Sequence, residues 1–322
     1  MEQTADAIDD LLTVDVGGRG VIGELSAAAY EYHERSPPME AAERLFESVS
    51  PGDDVIIVTG FLCPPTAQQE TDGPVGAASL ARAITVGLGA HPTIMAEQEA
   101  LPMVEAAARA YGLNVGDRDA VRDGRWTCSM KPIPTDESEA ETFADGVLEA
   151  YDPTALVAIE RAGRNQNDVY YSMSGTDITS ESAKAEALFE HGDTLSIGIG
   201  DGGNELGMGA IEETVRESVP HAARGECPCG GGIAATAETD VIVPATVSNW
   251  GGHGIVASLS LLLEKTLLHD PELEERALVQ CGLAGGIDGP TGTTTGASDG
   301  IPATTHASVI DTLHAVIDDS DF

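Results

Sequence analysis

Short apolar runs of strand length alternate along this chain with segments whose apolar residues recur every three to four positions. The first group comprises "DVIIVTG" (54–60), "HPTIMA" (91–96), "ALVAIE" (155–160), "TLSIGIG" (194–200) and "TDVIVPA" (239–245). Runs that are apolar on consecutive residues suit strands covered on both faces, as in a parallel sheet. The second group predicts helices over 21–33, 39–48, 76–88, 98–111, 137–150, 181–190, 204–218, 253–268 and 304–318. Ser138 to Glu141 has the spacing of a capping box, and Thr305 to Val309 marks a second helix start. The alternation predicts an α/β fold, a three-layer sandwich with a mostly parallel sheet and helices on both faces. No internal repeat and no linker rich in Pro, Gly or Ser interrupts it, so residues 1–322 read as a single α/β domain.

In such folds ligands sit beyond the carboxyl ends of the strands. Four of the apolar runs lead into polar, glycine-bearing loops: "TGFLCPPTAQQETDGPVGA", "ERAGRNQNDVYYSMSG", "GDGGNELGMG" and "ATVSNWGGHG". The sequence therefore predicts one site where these loops converge.

Charge narrows what that site serves. The chain has 16 Lys+Arg against 54 Asp+Glu, a net charge of −38, and only three lysines, Lys131, Lys184 and Lys265. Nucleic-acid binders neutralise phosphates with basic side chains, so that class is excluded. The acid excess is spread along the chain, as on a halophile's solvated surface. The N-terminus lacks a basic region followed by an apolar stretch, and no run approaches the ~20 apolar residues of a membrane span. "GIVASLSLLLEKTLL" (254–268) is the most apolar segment, but Glu264 and Lys265 within it make it a buried helix. These features lead to the expectation of a soluble, cytoplasmic protein. Five cysteines make no disulfide framework here, and Cys227-Pro-Cys229 is one residue short of the usual metal or redox spacing. They read as reduced structural thiols.

Gly198, Gly200 and Gly203 spell G-x-G-x-x-G, the dinucleotide-cradle pattern. A Rossmann cradle, however, needs an acid about 20 residues on, at the end of the next strand. Here Asp201 stands inside the loop and Glu205 follows it, so two carboxylates would repel a pyrophosphate. NAD and FAD are excluded on that ground. The glycines read instead as letting a ligand approach the backbone, with Asp201 facing an ammonium group, a water or a metal. A helix N-terminus there would keep Asp201 ionised. Its alternative role is to cap that helix. "TGF" ends a strand, and "ETDGPVGA" places Glu70, Thr71, Asp72 and Gly73 before a helix opened by Pro74. Thr59 and Gly60 share that loop mouth. Glu160, Arg161 and Arg164 cluster at another strand end, where an arginine fork suits a carboxylate. Ser248, Asn249 and Trp250 open the apolar helix, and His253 and His306 titrate in the right range for acid–base work.

Taken together, "TGF…ETDGPVGA", "ERAGRN…YY", "IGDGGNELGMG", "SNWGGHG" and "GIDGPTG…THASVIDTL" resemble the D-glutamate cyclase-like C-terminal domain family, from about residue 20 to the end. The chain looks like a halophilic archaeal-type member. The resemblance implies a lyase (a carbon–oxygen hydro-lyase) of D-amino acid metabolism that dehydrates D-glutamate to 5-oxo-D-proline. In longer relatives this module is joined to a separate N-terminal one that is itself associated with cyclase activity. On this reading Asp201, Glu205 and Glu160 are the catalytic candidates, and the ligand is small, acidic and amino-acid-like. Arg161 or Arg164 would clamp its α-carboxylate. The N–H groups of Gly202 and Gly203, with Asn204 or Asn249, would stabilise the developing oxyanion. Thr59, Gly60, Glu70, Thr71, Asp72, Gly73, Ser248, Asn249 and Trp250 complete the binding set. No cofactor is required by the sequence; a divalent cation, Mn²⁺ or Mg²⁺, held by Asp201 and another acid is the alternative to the oxyanion donors. A non-catalytic module for a small acidic ligand, or an enzyme of another amino acid or a phosphorylated metabolite, remains open, as does a homo-oligomeric state.

The charge generates the first prediction. At molar salt the Debye length is about 3 Å, which screens self-repulsion. A circular-dichroism melt should show the protein losing stability from molar KCl to dilute buffer; an unchanged melting temperature would contradict the halophile reading.

Overall fold

The computed structural model describes residues 1–190, 194–225 and 227–318. Among them, seven strands form one parallel sheet: β1 (Asp54–Gly60), β4 (His91–Ala96), β5 (Asn114–Gly116), β6 (Thr127–Pro132), β7 (Ala155–Arg161), β8 (Leu195–Gly200) and β9 (Val241–Pro244). Two short arms, β2 (Leu62–Cys63) and β3 (Gln68–Gln69), pair separately as a hairpin. The sheet order is β5-β6-β4-β1-β7-β8-β9. β1 lies between β4 and β7, so the chain leaves β1 toward one edge and later builds the other half from β7. The carboxyl ends of β1 and β7 therefore border the topological switch point, where α/β sheets open a crevice.

Strand periodicity divides the core into two faces. Val55, Ile57, Ile94, Val157, Ile159, Ile197, Ile199, Val241 and Val243 pack on one side, beneath the helices Pro74–Ala83 and Ser248–Leu262. Ile56, Val58, Met95, Leu156 and Ala158 pack on the other, against the helix Glu137–Tyr151. Ile242 points to that second side too, toward the helix Ile22–His33. This is the predicted three-layer architecture. No helix among the described residues is long and apolar enough to cross a membrane.

The five predicted strands and most predicted helices occur within a few residues of their expected bounds. Three helices were not predicted: Glu2–Leu12, Arg118–Asp123 and Pro271–Leu283. Nor were β5 and β6, which are short or carry polar residues at the sheet edge. The helix expected over 181–190 shrinks to Glu186–Phe189, and the one expected over 204–218 becomes a 3-10 turn, Gly209–Ile211, leading into Glu212–Ser218. Asp201 and Glu205 thus lie in a loop, and Asp201 caps no helix. Asp136, not Ser138, caps the helix Glu137–Tyr151 by accepting from the Ser138 N–H.

The helix Ser248–Leu262 is buried along nearly its whole length. It crosses the helix Pro74–Ala83 at glycines. A Cβ on Gly76 would stand 2.5 Å from Ile159 Cδ1 and 2.9 Å from Asn249 Cα, and one on Gly252 would lie 3.2 Å from Gly76 Cα. Backbone against backbone fixes how closely the loop before Gly76 approaches the start of the second helix. In a free helix, Gly→Ala gains about 1 kcal/mol. Here overpacking dominates, so Gly76→Ala should lower stability by about 1–3 kcal/mol. Urea unfolding in high salt checks this; an unchanged or raised midpoint would refute the close crossing.

Candidate functional site

β1 and β7 run in register from Val55↔Ala155 to Thr59↔Ile159, then slip: Gly60 pairs with Arg161. Glu160 is the extra residue of this bulge, at φ 42°. The left-handed region is unfavourable for a residue with a Cβ, and bulges re-aim side chains beside functional sites. The two neighbours accordingly part ways. Glu160 lines a cavity of about 440 Å³, together with Arg19, Cys63, Glu70, Asp201 and Asp299. Arg161 is buried away from it, 2.7 Å from Glu97 and within hydrogen-bonding reach of the Thr59 carbonyl.

The loop after β1 supplies the next wall. Gly73 adopts φ 91°, and a Cβ there would stand 2.5 Å from Thr59 Oγ1 and 2.8 Å from Glu160 Cβ, so only glycine fits. This bend brings Asp72 beneath the buried helix. Its carboxylate accepts the N–H groups of Ser248 (2.8 Å), Asn249 (2.8 Å) and Gly73 (2.9 Å). Asn249 reciprocates, accepting from the Gly76 N–H at 2.7 Å and donating to the Thr71 carbonyl at 3.1 Å. The Ser248 hydroxyl donates to Glu160 at 2.5 Å. Asp72, Glu160 and Asp201 each present one oxygen, all within 4.8 Å of one another.

Asp201 is reached from the far end of the chain. Asp15 accepts the N–H groups of Arg19 (2.9 Å) and Gly20 (2.7 Å), shaping the loop after the first helix. That loop aims Arg19 so that its two terminal nitrogens meet the two Asp201 oxygens at 2.5 and 3.2 Å, with Asp299 at 3.7 Å. Arg19 is 30% exposed while Asp201 is 5% exposed.

Burial and charge then separate the carboxyls. Burial pushes the Asp201 carboxyl up, but Arg19 together with hydrogen bonds from Asp299 and Glu205 outweighs it and holds the group below its ordinary value. Glu70, Glu160 and Asp299 are driven well above theirs, by burial first and by neighbouring carboxylates second. Asp72 and Glu205 are each raised to about 7 by burial and by Asp201. One carboxyl held below its ordinary proton affinity thus faces several held above theirs.

The structure therefore brings Glu160, Glu70 and Asp201 to one cavity, with Asp72 and Ser248 beside it. Several other expectations are corrected. Arg164 is tied to Glu190 and Asp168 at the surface, and Arg161 to Glu97, so neither is positioned as a clamp. The Gly202 and Gly203 N–H groups donate to Glu205 at 2.8 and 2.7 Å, which occupies them as oxyanion donors. A Cβ on Gly202 would meet Met173 and one on Gly203 would meet Val215, so these glycines serve packing and not ligand approach. Asn204 donates to the Tyr171 carbonyl. Thr71 donates to the Ala297 carbonyl. Trp250 is a core residue that donates to His306 at 2.8 Å, and His253 faces Glu274 inside the same apolar layer. Asp201 is ionised because of Arg19, not a helix N-terminus. Arg19, Asp299 and Cys63 escaped sequence reasoning; the one signal for Arg19 was an arginine set among glycines, "GGRG", in a base-poor chain.

Comparison with known proteins bears on the chain as a whole. The family model described as D-glutamate cyclase-like, C-terminal, matches residues 8–314. Human mitochondrial D-glutamate cyclase is 32% identical over 229 residues, covering 67% of this chain and 34% of that protein. The chain thus spans about a third of the length of this relative.

Glu205 gives a pH prediction. Its folded pKa lies above the unfolded one, so the folded state binds more protons between about pH 4.5 and 7. Stability from this group is present at low pH and lost as pH rises through that window. The melting temperature of wild type minus that of Glu205→Gln should therefore fall from pH 4.5 to 8 in high salt, in the direction that favours the variant. A constant or rising difference would contradict the raised proton affinity.

Proposed function

We propose that this chain, which belongs to the D-glutamate cyclase-like C-terminal family, binds an acidic amino acid in the switch-point cavity and closes it into a lactam with loss of water. The observation that carries this reading is the ionised Asp201, held by Arg19, facing carboxyls of raised proton affinity. Carboxyls whose environments push their proton affinities apart divide into a base and an acid.

With D-glutamate as substrate, Asp201 takes a proton from the α-ammonium group. The neutral nitrogen attacks the γ-carboxyl carbon, forming the C–N bond, and its second surplus proton passes to a γ-oxygen of the adduct. Protonated Glu160 or Glu70 delivers the second proton to that oxygen, the C–O bond breaks and water leaves, giving 5-oxo-D-proline; Asp201 returns its proton to the spent acid. Glu205, occupied with loop N–H groups, positions Asp201. Arg19 has five N–H donors, and those not turned toward Asp201 hold the α-carboxylate. Positioning by this pair supplies the folded-back conformation that cyclisation needs. A cavity wall with a single arginine offers few cationic partners for a phosphorylated ligand.

A second reading, favoured by the three clustered oxygens of Asp72, Glu160 and Asp201, is that a divalent cation such as Mn²⁺ sits among them. It would polarise the γ-carboxyl when bound.

The decisive experiment incubates the protein with D-glutamate in high salt, with and without Mn²⁺, and separates the products by chiral chromatography. 5-Oxo-D-proline should accumulate. Asp201→Asn should lower turnover about 100-fold or more, the scale of a lost general base, while Arg19→Met should raise KM and also lower kcat, because Arg19 both holds the α-carboxylate and keeps Asp201 ionised. Binding of D-glutamate without any product would leave a non-catalytic module and overturn the cyclase reading.

A further inference from the structure

Away from the acidic cavity, residues 227–232 form a tight loop tied to Gly225. The Gly225 N–H donates to the Gly230 carbonyl at 3.0 Å, and the Gly230 N–H to the Cys227 carbonyl at 2.9 Å. Within it, Cys227-Pro228-Cys229 places the two sulfurs 3.1 Å apart. Two residues' separation is short for a pair of side chains that face each other, and the loop's closure holds them there. Cys227 is buried and Cys229 half-buried, so one sulfur meets solvent and the other lies behind it.

The surroundings favour a thiolate on the outer sulfur. Cys229 Sγ accepts from Asn165 Nδ2 at 3.2 Å and from the Gly231 N–H at 3.3 Å. Cys227 Sγ accepts from the Gly232 N–H at 3.1 Å. Among the described residues, the titratable and charged groups that touch the loop include the Tyr171 hydroxyl, 3.4 Å from the Cys229 N–H, and Arg216, whose Nη1 donates to the Gly231 carbonyl at 2.8 Å. Burial raises the Cys229 thiol, but hydrogen bonds from Tyr171, Cys227 and Asn165 outweigh it and bring it down to about 6. The remaining cysteines contrast sharply. Burial pushes Cys128 and Cys281 up to about 12, and Cys63 is raised as well.

We propose that Cys227 and Cys229 form a dithiol site that exchanges with low-molecular-weight disulfides. The Cys229 thiolate attacks one sulfur of the disulfide, forms a mixed disulfide and displaces one thiolate. Cys227 then gives up its proton and attacks the Cys229 sulfur, closing the Cys227–Cys229 bond and releasing the second thiol. The protein loses two electrons and two protons, and the small disulfide is reduced to two thiols. Thiolate character and access to an attacking partner are what such exchange requires.

The test uses the full chain, reduced and then exposed to oxidised glutathione in high salt. Peptide mapping should find a 227–229 disulfide, and thiol titration after denaturation should fall from five to three. Cys227→Ser should instead accumulate a glutathione adduct at Cys229, because the second thiol is missing. In the wild type, iodoacetamide should label Cys229 first, with a rate that is half-maximal near pH 6 and not near ~8.5, as for a free thiol. Melting curves establish that each variant is folded. Retention of five thiols after oxidised glutathione, or labelling of Cys229 with an ordinary thiol's pH dependence, would overturn the proposal.

Discussion

The helix Ser248–Leu262 begins inside the protein, so its first amide groups must find acceptors without water, and the Asp72 carboxylate supplies them. Unsatisfied buried donors cost about 1–3 kcal/mol each, which makes this contact a condition for seating the helix at all. It also dictates chemistry. By bringing Asp72 beneath the helix, the contact draws Gly73 against Thr59 and Glu160 and fixes the loop that carries Glu70. Asn249 closes the tie from the other side through Gly76. The same interaction thus serves as helix cap, loop anchor and one wall of the acidic cluster.

Crowding carboxyls at one place requires compensation, because buried charge is costly unless paired. The protein uses two devices. Arg19 neutralises Asp201 directly, and the other acids shift toward their protonated forms. The second device avoids charge where the first would need further arginines. A site with one anchored anion and several proton carriers follows from this division. Glu160 reaches it only because the β7 bulge turns it inward while Arg161 turns away to Glu97. A regular strand would have exchanged acid for base at the cavity mouth.

The sequence by itself determined the central strands, the alternation with helices and the family, because continuous apolar runs and local motifs are properties of neighbouring residues. It also marked the loops that matter: Glu70, Asp72, Glu160 and Asp201 all lie in or beside segments that stood out as polar and glycine-bearing at strand ends. What the tertiary structure decided was how those residues pair. Arg19 meets Asp201 across 182 positions, and no local pattern encodes that distance. Arg161 and Arg164 read as clamps because they sit beside Glu160 in sequence, yet a one-residue register slip sends Arg161 to the opposite side. Gly202 and Gly203 read as open to a ligand, whereas packing against Met173 and Val215 is what requires them. Side-chain direction at a bulge, proton affinity in a buried cluster and contacts between chain ends depend on the folded environment, and only the fold supplies it.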